Sequence, residues 1–125
     1  MCTAISFKTG DHYFGRNLDL EKSYGEVVAI TPRKYPLRFR KEKTMNQHLA
    51  MIGMAAVVDG YPLYFEAVNE KGVGMAGLNF PGYAQYEAAP VQGKTNVCAW
   101  EFPLWVVANF QTVEEVESAL AETAI

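Results

Sequence analysis

Two cysteines and two histidines are all that the chain offers a transition metal. They stand apart as Cys2, His12, His48 and Cys98, with no CxxC pair and no His/Cys cluster. Structural zinc sites need such ligands at short spacing, so no metal and no cofactor is expected. Charge of one sign is also scarce: 11 Lys and Arg face 14 Asp and Glu, a net charge of −3. The densest basic run, Arg38, Arg40, Lys41 and Lys43, is interrupted by Glu42. A nucleic-acid surface needs a wider basic face interleaved with aromatics, so this run reads as a solvated strand end or loop. No apolar run approaches the roughly 18 residues of a membrane span. Residues 1–15 lack the basic start and apolar run of a signal peptide. The expectation is a reduced, cytoplasmic protein with neither nucleic-acid nor membrane partners, in which a Cys2–Cys98 disulfide has no support. Internal repeats, low-complexity tracts and an interdomain linker are missing too.

What the chain does have is the material of one folded domain. Half of its 125 residues are hydrophobic, including seven Phe, seven Tyr and two Trp. Alternation of β-formers predicts strands over 2–8, 12–18, 26–31, 49–58, 63–68 and 73–79, separated by turn signals such as Thr9-Gly10-Asp11 and Asn69-Glu70-Lys71-Gly72. Gly15 suggests a bulge or a close backbone approach. Gly74, Ala76 and Gly77 allow another layer or a substrate near the backbone. Leu37-Arg38-Phe39 reads as a short extended piece, and 80–96 as loop. The period then changes: 99–109 predicts an apolar helix with Pro103 in its first turn. Thr112 and Glu115 form a capping box for a helix over 113–123, with Val113, Val116 and Leu120 as its buried stripe. Strands followed by helices predict an α+β fold, an antiparallel sheet covered by helices. No closing strand is expected after the helices. A six-stranded sheet with helices on one face leaves Val28, Ile30, Ile52 and Val57 on a face that needs a cover. The expectation is therefore the N-terminal part of a longer domain.

Cys2 carries the chemistry. Removal of Met1 would leave a thiol and a free α-amine on one residue. The amine has an ordinary pKa of about 7.7–8.0 and the thiol about 8.5, so at neutral pH the amine can take the thiol proton. N-terminal nucleophile catalysis uses this pairing of nucleophile and base. A hairpin turning near Gly10 would bring Arg16 and Asp19 alongside Cys2, although the two could equally form an ordinary exposed ion pair. Asn79 could simply end a strand and open a turn. His12 and His48 have no partner at a useful spacing. Glu66 and Glu70 are four apart but not on a helix, so they do not read as an acid/base pair.

Taken together, MCTAISF, FGRNLDL, DGYPLYFEAVNEKGVGMAGLNFPG, FPLWVVANF and VEEVESAL resemble the choloylglycine hydrolase family, and within it the conjugated bile acid hydrolases. The likeness runs along essentially all 125 residues. It implies an N-terminal nucleophile hydrolase, an αββα sandwich of antiparallel sheets, of which this is the N-terminal part. It implies Cys2 as nucleophile, Arg16 close to it, Asp19 holding the α-amine, and Asn79 in the oxyanion region with Leu78 beside it offering backbone polar groups. Leu18, Val58 and Phe65 match apolar positions that face the steroid. The implied reaction is hydrolysis of glycine- or taurine-conjugated bile salts by a homo-oligomer, a tetramer, in the cytoplasm of a gut bacterium. A penicillin V acylase-type amidase is the alternative acyl specificity, although Asn79 stands where such acylases often carry tyrosine. A non-catalytic fragment or interaction module is the third reading. Family members are much longer, and further site residues lie beyond residue 125.

Overall fold

Short alternating segments become antiparallel pairs. In the computed structural model, which describes residues 2–125, β1 (Thr3–Thr9) and β2 (Asp11–Asn17) form a hairpin that turns at Gly10. Its register runs unbroken from Thr9↔Asp11 to Thr3↔Asn17. Gly15 sits in that register opposite Ile5, so it is not a bulge, and a Cβ there would meet nothing closer than 4.0 Å. The strands β3 (Val27–Thr31), β4 (Met51–Val58), β5 (Tyr61–Asn69) and β6 (Gly74–Ala76) form a second sheet in that order. The six expected strands thus divide into a two-stranded and a four-stranded sheet. The ribbon of β1 and β2 lies against the larger sheet instead of extending it: the Phe14 ring stands 3.0 Å from where a Gly74 Cβ would be. The close approach expected at Gly74 is made by another layer of the protein.

A β-bulge lies between β4 and β5, where Met54 faces Glu66 but Ala55 faces Tyr64. Burial along β5 follows the shift: Pro62 and Tyr64 are buried before it, Ala67 and Asn69 after it. The extra residue keeps apolar side chains inward on both sides and turns Phe65 and Glu66 to the other face.

The helical region opens with a 3-10 turn, Ala99–Glu101, and continues as α1 (Phe102–Asn109) with Pro103 in the first turn. Residues Leu104 to Ala108 of α1 are all buried, as expected of a helix apolar on every side. Leu104, Val106 and Val107 pack with Leu37, Met51, Ala55, Tyr64 and Ala67. Each of the fully buried Leu and Val side chains among them contributes about 1.5–3 kcal/mol. The Leu37 stretch enters this core through a bridge with Met45, while Arg38, Arg40, Lys41 and Lys43 stay exposed.

Three expectations need correction. Helix α2 (Val113–Leu120) is shorter than 113–123, and only Val116 and Ala119 pack on the core. Val113 is 68% and Leu120 45% exposed, because α2 touches the domain along a narrow line. The Thr112 hydroxyl does accept the Glu115 N–H at 3.2 Å, but the Glu115 carboxylate returns to the N–H of Gln111 rather than Thr112. A strand does follow the helices: β8 (Thr123–Ala124) pairs in parallel with β7 (Thr95–Asn96), inside the segment read as loop. The histidines have partners as well: His12 bonds Ser6 Oγ at 2.7 Å, and His48 contacts the Leu49 and Tyr35 carbonyls at 2.8 Å. On the face away from α1, Val28 and Ile30 are 71% and 72% exposed, with Ile52 and Val57 also open.

Asn69 joins helix to sheet. Its buried amide donates to the carbonyls of Val107 and Phe110 at 2.9 and 2.7 Å and accepts the N–H groups of Lys71 and Val73 at 3.0 and 3.1 Å. Glu70 next to it takes both Arg33 Nε contacts, at 2.8 and 3.0 Å, and the Ala50 N–H at 2.8 Å. The Arg33 guanidinium hydrogen bonds come first among the causes that hold the Glu70 carboxyl down at about 2 rather than 4.5. A carboxyl depressed in the folded state stabilises above its unfolded pKa and loses that contribution as pH falls through the folded value. Glu70→Gln is therefore expected to flatten the acid-unfolding profile between pH 4.5 and about 2, read by circular dichroism. Its stability at pH 3 relative to pH 7 then falls less than that of the parent protein.

Candidate active site

The hairpin register decides who meets Cys2. With Thr3 opposite Asn17, the next step places Cys2 level with Leu18 and beside Asp19. The half-buried Cys2 sulfur receives the backbone N–H of Asp19 and, from the segment after β6, the backbone N–H of Asn79. These two donors and the Arg16 charge lower the thiol pKa, the Asp19 N–H most, against an opposing effect of burial. Cys2, Arg16, Asp19 and Asn79 are thus brought together from three separate stretches of chain.

Arg16 is not the exposed ion-pair partner that its spacing to Asp19 allowed. Its side chain is only 2% exposed. One terminal nitrogen, Nη2, donates to the Gly77 carbonyl at 2.6 Å, and the other, Nη1, reaches Glu66 Oε2 at 3.4 Å. Glu66 is the residue that sequence reasoning missed, because its partner lies fifty positions away in the chain. The readable signal was an acidic residue inside the apolar alternation YPLYFEAVN, where the phase of burial shifts.

The four expected substrate-side positions, the apolar Leu18, Phe65 and Val58 and the backbone of Leu78, distribute unevenly. Leu18 lines a cleft of about 460 Å³ with Leu20 and Met54, with Lys22, Ser23 and Glu26 completing its wall. The Phe65 ring meets that of Tyr24 at 6.3 Å, on the loop that continues from Leu20. Leu78, 48% exposed, stands between Gly77 and Asn79. Val58 closes the β4–β5 hairpin opposite Tyr61 and is 55% exposed.

The second thiol behaves oppositely. Cys98 is 4% exposed, and burial first, then the charge of Glu101, pushes its pKa up. Iodoacetamide at pH 7 is therefore expected to label Cys2 at least tenfold faster than Cys98, read by peptide mass. Equal rates would remove the electrostatic distinction between the two.

The antiparallel sheets, with Cys2 immediately ahead of β1, are those of the N-terminal nucleophile hydrolase fold, as superposition on a solved member shows. The model of the linear amide C–N hydrolases, choloylglycine hydrolase family, matches residues 2–125, and the chain belongs to that family. It is 50% identical over 117 residues to a bile salt hydrolase/transferase of Lactiplantibacillus plantarum, covering 94% of this chain and 36% of that protein. It is 49% identical over 122 residues to a conjugated bile acid hydrolase of Lactobacillus gasseri, covering 96% and 39%. A solved mutant of the conjugated bile acid hydrolase from Clostridium perfringens superposes with a TM-score of 0.92 at 41% identity, over all of this chain and 39% of that one. The chain thus spans less than half the length of the relatives it matches. Among the described residues no helix is long and apolar enough to cross a membrane.

Proposed function

We propose that these residues form the N-terminal, nucleophile-bearing part of a cysteine amidase that hydrolyses glycine- or taurine-conjugated bile salts. The observation that carries this reading is the pair of backbone N–H groups, from Asp19 and Asn79, at the Cys2 sulfur, with the Arg16 charge acting on it. Residues 1–125 form part of a single choloylglycine-hydrolase-like domain; the fraction of each relative that is matched supports this.

Once Met1 is removed, the Cys2 α-amine accepts the thiol proton and Asp19 fixes the direction of that amine. The sulfur attacks the carbonyl that joins the steroid to the amino acid. The Asn79 amide donates to the oxyanion, a contribution of about 3 kcal/mol in comparable sites. The C–N bond then breaks, the α-ammonium gives its proton to the departing amine, and water clears the thioester. Arg16 favours the thiolate by charge. The apolar floor of the cleft, Leu18 with Leu20 and Met54, suits a steroid; by the family resemblance Phe65 and Val58 add apolar contacts and Leu78 offers backbone polar groups.

The protein acts as a homo-oligomer, a tetramer, in the cytoplasm. Two free thiols suit a reducing compartment, and Phe80, Tyr83 and Tyr86, all more than 60% exposed, suit a subunit contact. Sedimentation of the intact protein tests the oligomer.

The deciding assay is product release from glycocholate, taurocholate and penicillin V by the intact protein. The expected kcat/KM is at least tenfold higher for the bile salts. A preference for penicillin V would overturn the substrate, and inertness toward all three, with Met1 removed and the protein folded, would overturn the enzyme.

A further inference from the structure

The Arg16 guanidinium is buried and crosses between layers. Its backbone belongs to β2, opposite Ala4, while its partners are Glu66 of the larger sheet and Gly77 just past that sheet's last strand. Gly77 follows β6 and hydrogen-bonds back to the Phe65 carbonyl at 2.8 Å. Glu66 sits in β5, paired with Ala76 on one side and Met54 on the other. The same side chain therefore ties the ribbon that bears Cys2 to the strand that leads to Asn79. Glu66 itself is partly desolvated, which raises its pKa, while Arg16 and the Met54 N–H act to keep it ionised. Arg16 Nε is buried without a hydrogen-bond partner among the described residues. A buried guanidinium with an unsatisfied nitrogen stays in place only if its remaining partners hold it. The β-bulge beside Phe65 aims the Glu66 carboxylate at it.

We propose that Glu66 is a positioning residue: with the Gly77 carbonyl, its carboxylate holds the Arg16 guanidinium toward Cys2 and couples the ribbon of β1 and β2 to the segment carrying Asn79. This rests on Cys2 being the nucleophile, but not on which amide is cleaved. Loss of the Glu66 carboxylate leaves a buried cation with one carbonyl, and the guanidinium turns away toward water. The thiol then loses the cation that favours its ionised form. The other charge acting on Cys2 is that of the chain's amino terminus, to which the Asp19 carboxylate is bound.

The test is the pH dependence of Cys2 alkylation in the intact protein, followed by peptide mass so that Cys98 is counted separately. Arg16→Ala is expected to raise the midpoint by about one pH unit. Glu66→Ala and Glu66→Gln shift it in the same direction, Glu66→Asp restores it, and Glu66→Ala adds nothing in an Arg16→Ala background. In turnover, Glu66→Gln lowers kcat about tenfold and leaves KM nearly unchanged. Glu66→Gln keeps the side-chain volume and carries the comparison if Glu66→Ala does not fold. A midpoint that stays or falls in the Glu66 variants, with only the melting temperature reduced, overturns the proposal. So does full additivity with Arg16→Ala. Alkylation needs no bile salt: a shifted midpoint in a protein that cleaves none would sustain the role of Glu66 and sink the substrate.

Discussion

Replacing Cys2 with Ala is expected to reduce amino acid release from conjugated bile salts by about four orders of magnitude or more, with the melting temperature nearly unchanged. Removing the nucleophile of a comparable hydrolase costs about a millionfold in kcat, because the covalent path is lost outright. The chain offers no substitute thiol: Cys98 is buried, with its pKa pushed up. The fold should survive, because Cys2 precedes β1 and is only half-buried. Cys2→Ser separates attack from geometry. The hydroxyl keeps the N–H donors of Asp19 and Asn79, but its proton is far harder to remove, so activity should fall by at least a hundredfold. A residue retained ahead of Cys2 should be as damaging as the Ala variant, since the amine would then belong to the wrong residue. Hydrolysis assays paired with intact mass check all three. Undiminished turnover in Cys2→Ala would exclude the proposed chemistry.

The sequence made the local part of this arrangement readable. The turn at Thr9-Gly10-Asp11 sets the β1–β2 register, and register alone predicts Arg16 and Asp19 near Cys2. Alternation located β3, β4 and β5 within a few residues of their observed ends. What was hidden depends on distant pairing. A strand pattern does not say which sheet it joins, so the separation of β1 and β2 from the other four strands could not be read from periodicity. The buried stripe of α2 failed for a related reason: the spacing of Val113, Val116 and Leu120 marks a face, but the depth of docking decides which of them is covered. The four-residue spacing of Glu66 and Glu70 says nothing about which layer each carboxylate faces. In the fold the two carboxylates serve different guanidinium groups, Arg16 and Arg33, and are not a pair at all. The backbone N–H of Asn79 is invisible in a motif, since any residue at that position carries one.

Gly53→Ala is expected to cost about 4 kcal/mol or more, and to take the site with it. A Cβ at this position would lie 2.0 Å from the Glu66 carbonyl oxygen, 2.6 Å from Ala67 Cα and 2.9 Å from Ala67 Cβ. The first two obstacles are backbone, so no rotamer change relieves them; β4 and β5 must separate. Gly53 lies just before the bulge and pairs with Ala67, while Glu66 faces Met54. Separation there moves the carboxylate that reaches Arg16, and with it the guanidinium whose charge acts on Cys2. The expected signature is a lower urea midpoint together with a Cys2 alkylation midpoint raised toward that of a free thiol. Gly77→Ala is the matched control: its Cβ would meet Phe65 O and Pro103 Cγ at 3.6 Å, ordinary contact distances. Its stability should change by no more than about 1 kcal/mol, because the Gly77 carbonyl that binds Arg16 is backbone and remains. A Gly53→Ala protein as stable as the parent would mean that the two strands yield at this point, and that the bulge does not hold Glu66 in place.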